Sequence, residues 1–142
     1  MTKFMHTFRM PLCIALLSVC STIASGQLTV TVSPLKITGQ RAVVPLTIKN
    51  GFGEKVESAR AAVFLLDEQG KMVGQSTKWV IGGTKDRPAL EPKEETTFNF
   101  VITNPQPFTT TNLTAKVNFS RVVLDGGKLA DVRQAVNMTA AK

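Results

Sequence analysis

Apolar residues recur at every second position through most of this chain, a period that places successive side chains on opposite faces of a strand. Leu28, Val30 and Val32 alternate with Thr29, Thr31 and Ser33 until Pro34 interrupts the run. Val44, Leu46 and Ile48 alternate with Pro45, Thr47 and Lys49, and Asn50-Gly51-Phe52-Gly53 then turns the chain. Pro45 lies inside this second strand, so the strand is expected to start late, to be bulged, or to lie at an edge. Ala59 to Leu66 is almost continuously apolar, Arg60 excepted, which predicts a central strand covered on both faces. Asp67-Glu68-Gln69-Gly70 leads into a strand from Met72 to Ile81, and a loop rich in Gly, Pro and charge follows from Gly82 to Glu95. Phe98, Phe100 and Ile102 alternate with Thr97, Asn99 and Val101 before Asn104-Pro105-Gln106-Pro107 ends the ladder. Leu113, Ala115, Val117 and Phe119 form the next alternation, and Asp125-Gly126-Gly127 reads as a hairpin turn from which Leu129 to Met138 returns. No stretch sustains an apolar stripe at helical spacing. Seven strands in about 110 residues predict an all-β, antiparallel β-sandwich.

The first 26 residues break this pattern. A charged start, MTKFMHTFRM, precedes the apolar run Pro11 to Ala24, and Ala24 and Gly26 supply small residues for cleavage before Gln27. Residues 1–26 are therefore expected to be a signal peptide and 27–142 the folded domain, periplasmic or secreted. The apolar run is shorter than the roughly 20 residues a spanning helix needs. An alternative is a lipoprotein: Leu17-Ser18-Val19-Cys20 resembles a lipobox, with Cys20 as the lipidated residue and the membrane as its anchor.

Cleavage removes Cys13, Cys20 and His6, and the chain has no Tyr. The side chains most used for acid–base, thiol and transition-metal chemistry near neutral pH are then gone. No catalytic residue, cofactor or metal is expected, and stability has to come from packing without disulfides. Removing Lys3 and Arg9 leaves fifteen basic and ten acidic residues, a formal charge of +5 against +7 for the whole chain. The cations are scattered along the sequence, with Lys36, Arg41, Lys49, Arg60, Lys71 and Lys78 at separate positions, and export argues against nucleic acid. Attraction to anionic envelope polymers or lipid head groups fits them better.

From the second strand to Phe100 the chain resembles the FxLYD-type domains of exported bacterial proteins. The matching residues are the strand ending at Asn50, Val63-Phe64-Leu65-Leu66-Asp67, Glu68 to Gly74, Leu90-Glu91-Pro92-Lys93-Glu94, and Thr97 to Phe100. Leu66 stands where that family often has Tyr, and Lys93 where it often has Gly. The resemblance covers about half of the segment after the leader. It implies an immunoglobulin-like sandwich, export, and an accessory or binding role, and it supplies no catalytic residues.

Several motifs have plain structural readings. Ser33-Pro34-Leu35-Lys36 has Ser-x-x-Lys spacing but follows a strand and lacks companion motifs, whereas the hydrolase motif opens a helix. Asp67-Glu68 and Glu94-Glu95 are adjacent carboxylates in turns, pointing apart rather than converging on one bond. A small hydrolase would have to work with Ser, Lys and carboxylates alone, without visible triad logic. Asp125 to Lys128 fits turn geometry, and no calcium-loop spacing occurs. Asn112, Asn118 and Asn137 are glycosylation sequons, read as chance beside a bacterial-looking leader.

Two aromatics remain as binding candidates. Phe52 lies between two glycines in a turn. If consecutive strands are antiparallel, the loops at 50–57, 82–95 and 125–128 share one end, gathering Phe52, Lys55, Lys85, Arg87 and Lys128 as an aromatic within a basic rim. Folding back to cap the core is the competing fate of Phe52. Trp79, the only Trp, falls on one face with Thr77 and Ile81, which predicts a core position; a sugar-stacking platform is the alternative. The leading expectation is a non-enzymatic exported module contacting a protein partner through the Phe52 end, or second through a free edge strand. Glycan or anionic-polymer binding through Trp79 and the scattered cations is the alternative, and a passive spacer is a third.

Overall fold

The computed structural model describes residues 26–141; the leader expected over residues 1–26, and Cys20 within it, lies outside the described residues save for Gly26. Alternating segments become the strands β1 (Leu28–Val32), β2 (Lys36–Thr38), β3 (Arg41–Asn50), β4 (Val56–Leu66), β5 (Met72–Ile81), β6 (Glu95–Thr103) and β7 (Thr114–Leu124). A short turn of helix, α1 (Val132–Ala135), precedes the last strand, β8 (Val136–Ala140). One sheet runs β6–β3–β1–β8, with β2 continuing the line of β1 alongside β3; the other runs β5–β4–β7. All pairs are antiparallel except β1 with β8. The fold is an immunoglobulin-like β-sandwich. Its core is the inner half of each alternation: Leu28, Val30, Val44, Leu46 and Ile48 meet Ala59, Ala61, Val63 and Leu65, with Phe100, Val117 and Val122 filling the sides. Burying each Val, Leu, Ile or Phe side chain of this set is worth about 1.5–3 kcal/mol, and the described residues, which contain no Cys, are held by this packing.

Pro45 satisfies none of the three expectations. It sits inside a ten-residue strand that starts at Arg41, pairs without a bulge to β6, and is flanked on both sides. The pairing of β1 ends at Val32↔Leu46 and that of β2 begins at Lys36↔Val43, so Pro45 faces the break between them. Its carbonyl accepts from the Ser33 amide (3.0 Å). Amide and carbonyl of one strand residue point the same way, so the missing N–H faces the break and no ladder bond is lost.

Two other expectations give way. β4 is central but covered on one face only: Ala59, Ala61, Val63 and Leu65 are buried, while Ala62, Phe64 and Leu66 are half-buried and Arg60 is exposed. Leu129 to Met138 does not return along β7. Only Val123↔Leu129 bridges the two, and Leu129 is left exposed. Asp131 then caps α1 by accepting from the Arg133 amide (3.0 Å), and the helical turn carries the chain to the other sheet, where β8 lies parallel to β1.

Candidate functional site

The connections β3–β4, β5–β6 and β7–α1 meet at one end, and Asn50 ties the first two together. Its side-chain amide donates to the carbonyls of Leu90 (2.9 Å) and Glu54 (3.0 Å), and its Oδ1 accepts from the Phe52 amide (2.8 Å). Its backbone bonds to Glu94 and Lys93. Asn50 is fully buried, and every polar atom of its side chain is satisfied. Loop and turn therefore form one packed cap. Phe52 is half-buried against the core rather than presented outward. Gly26 packs so close that a Cβ there would lie 2.4 Å from the Phe52 Cα.

The structure brings the five nominated residues to this end but does not leave them as a free rim. Lys55 lies 3.7 Å from Asp125, and Lys128 lies 2.7 Å from Glu54. Arg87 stacks its guanidinium over the Phe98 ring (4.2 Å) and donates to the Trp79 carbonyl. Of the five, Lys85 is the exposed one that has no ion-pair partner among the described residues.

A different surface collects aromatic and cationic groups: the outer face of the β5–β4–β7 sheet. Here Trp79 departs from its expected core position. The pairing steps from Ala59↔Ile81 to Arg60↔Trp79, so Val80 is an extra residue in a β-bulge. The bulge lets both Val80 and Ile81 turn inward and puts Trp79 on the outer face with Thr77, half-buried. Gly83, at φ 77°, lies against the ring; a Cβ there would come within 2.4 Å of Trp79 Cγ. A second bulge lies in β7 between Phe119, opposite Ala61, and Arg121, opposite Arg60, and turns both Ser120 and Arg121 to solvent.

The two bulges align one row across three strands, Trp79–Arg60–Arg121. The Arg60 guanidinium sits over the Trp79 ring, 5.9 Å from its centroid, so the indole braces the cation. Further along lie the rows Thr77–Ala62–Asn118 and Gln75–Phe64–Lys116. None of these positions is acidic, and among the described residues Arg60, Arg121 and Lys116 have no ion-pair partner. Like charges directly opposite each other on a sheet destabilise it. Arginines at directly opposed positions of adjacent strands offer two guanidinium groups on one face, a chemistry suited to a carboxylate, sulfate or phosphate.

Sequence reasoning nominated Trp79 and noted Arg60 but missed Arg121. A signal existed: the apolar phase 113, 115, 117, 119 resumes at Val122, one residue late, which marks a bulge with two outward neighbours.

The remaining motifs are structural. Ser33 and Lys36 lie at the β1–β2 break, outside any helix. Asp67 accepts from the amides of Gln69 and Lys71, closing its own turn. Among the described residues no three His, Cys, Asp or Glu side chains converge as metal ligands. Asn112, Asn118 and Asn137 are exposed. A groove of about 640 Å³ opens at the opposite end, beside Met72, Val73, Phe108 and Leu113.

No protein-family profile and no curated protein matches the chain. Among solved structures it is similar to a Bordetella pertussis protein with the provisional name ApaA, at 18% identity and a TM-score of 0.53, over 74% of this chain and 85% of that one. It also aligns with the CARDB domain of the PF1109 protein from Pyrococcus furiosus, solved with di-metal ions, at 18% identity and a TM-score of 0.38, over 80% of this chain and 89% of that one. The likeness to the Bordetella protein is one of fold, and it carries neither ligand nor activity.

Proposed function

We propose that this chain is an exported, non-enzymatic binding module of the cell envelope whose ligand is an anionic polysaccharide, held on the outer face of the β5–β4–β7 sheet. The observation that carries the reading is that Arg60 and Arg121 stand directly opposite each other on adjacent strands, with no ion-pair partner among the described residues and with the Arg60 guanidinium over the Trp79 ring. Two exposed cations kept in repulsion cost stability, and an anionic ligand relieves that cost. The immunoglobulin-like fold is consistent with an accessory domain. Export rests on the leader-like residues 1–26 and on the resemblance to FxLYD-type domains; the non-enzymatic reading rests on the loss of Cys and His with the leader and on the lack of Tyr. Among the described residues no helix is long and apolar enough to cross a membrane.

A protein partner at the Phe52 end draws less support, because Phe52 packs inward and Lys55 and Lys128 are already paired. The two readings separate experimentally. Binding to polygalacturonate and to neutral dextran is measured by calorimetry for the unaltered protein and for the double variant Arg60→Gln, Arg121→Gln. Polygalacturonate binding that weakens with salt and falls about tenfold or more in the double variant supports the reading, with dextran inert. Equal binding of both proteins, or none to any polyanion, overturns it. Retention on anionic lipid vesicles alone moves the ligand to a head group.

A further inference from the structure

Asn50-Gly51 is the one Asn-Gly pair in the chain, and its chemistry is intramolecular. The Gly51 amide nitrogen attacks Asn50 Cγ. An N–Cγ bond forms, the Cγ–Nδ2 bond breaks, and ammonia leaves with the proton from the Gly51 nitrogen. Water then opens the resulting succinimide at either carbonyl, giving aspartate or isoaspartate. Water is the only co-reactant, and nothing is oxidised or reduced. Glycine makes the pair reactive because no side chain hinders the backbone nitrogen or its rotation.

The fold opposes each part of this step. Asn50 is fully buried, its leaving amide is held by Leu90 and Glu54, and its Oδ1 is held by the Phe52 amide. The Gly51 N–H, which must become the nucleophile, is directed elsewhere and donates to the Gln27 carbonyl (2.9 Å). Gly51 is also required sterically, since a Cβ there would lie 2.5 Å from that carbonyl. Packing thus requires the glycine of the reactive pair, and hydrogen bonding disarms the pair.

We infer that Asn50-Gly51 is a latent deamidation site, kept shut by the native cap and released only when the Phe52 end opens. Reaction makes the opening permanent. A carboxylate at position 50 has no donor to offer and faces the Leu90 and Glu54 carbonyls, acceptor against acceptor. An isoaspartyl link adds a backbone carbon where Asn50 pairs with Leu28 and bonds to Lys93 and Glu94. The cap includes the 82–94 connection that seats Trp79 against Gly83, so the mark also loosens the brace on Arg60.

The test is peptide mapping of the purified protein held at pH 8 and 37 °C, in buffer and in urea that unfolds it. Conversion at Asn50 is read as a one-dalton gain and as isoaspartate. Conversion about tenfold or more slower in buffer is expected, as for a site that reacts only through opening. Leu90→Ala, which leaves the Asn-Gly pair intact, is expected to raise the rate in buffer severalfold. Protein that has converted is expected to melt several degrees lower than its unconverted fraction. Equal rates in buffer and urea overturn the protection. Converted protein with unchanged melting and unchanged Trp79 fluorescence overturns the latch. The comparison of the unaltered protein in the two solvents decides the question even if Leu90→Ala fails to fold.

Discussion

Replacing Asn50 with Ala measures what the buried polar knot contributes. Asn50 is the one buried polar side chain among the described residues, and it makes three side-chain hydrogen bonds. Each is worth roughly 0.5–1.5 kcal/mol net, and a buried group left without a partner costs about 1–3 kcal/mol. The losses are unequal. The Leu90 carbonyl keeps a bond from the Val56 amide (2.9 Å), so its loss is partial. The Phe52 amide loses the bond that fixes the turn. Together these give a destabilisation of about 3 kcal/mol, or a fall in Tm on the order of 10 °C for a domain of this size. Urea unfolding, followed by Trp79 fluorescence and by circular dichroism, checks it; the midpoint should fall with the slope unchanged. A loss below about 1 kcal/mol would refute the claim that this residue holds the cap together.

Gly83→Ala should cost about 1–3 kcal/mol and shift the Trp79 emission, because it places a Cβ against the indole at a positive φ. Unchanged emission and stability would mean that Gly83 does not seat the ring. Arg121→Ser should raise stability by a few tenths of a kcal/mol at low salt by removing a like charge opposite Arg60. That gain should vanish near 1 M salt, where the Debye length is about 3 Å. A loss of stability at low salt would show that Arg121 has a compensating role in the fold.

Much of the fold was legible because period-two alternation reports burial directly: Val44, Leu46 and Ile48, then Phe100 and Ile102, lie inward as the pattern requires. Irregularities were harder to read because they depend on neighbours distant in sequence. Pro45 is tolerated only because Ser33-Pro34-Leu35 breaks the adjoining strand at the same level. Trp79 left its predicted face because one extra residue, Val80, inverts the register that alternation assumes. The same effect hid Arg121. The apolar run of β4 suggested cover on both faces, yet composition cannot tell a covered face from one lined by Ala62, Phe64 and Leu66 at half exposure. The end carrying Phe52 was assembled correctly from strand direction, but ion pairing and inward packing, which decide whether it is free, are not visible in sequence.

Amide chemical-shift mapping during titration with polygalacturonate oligomers decides whether the ligand lies on the proposed outer face of the β5–β4–β7 sheet. Shifts are expected to concentrate around Arg60, Trp79 and Arg121, with the Trp79 indole N–H among them. Shifts confined to Phe52 and its neighbours, or to the groove by Phe108 and Leu113, would contradict it.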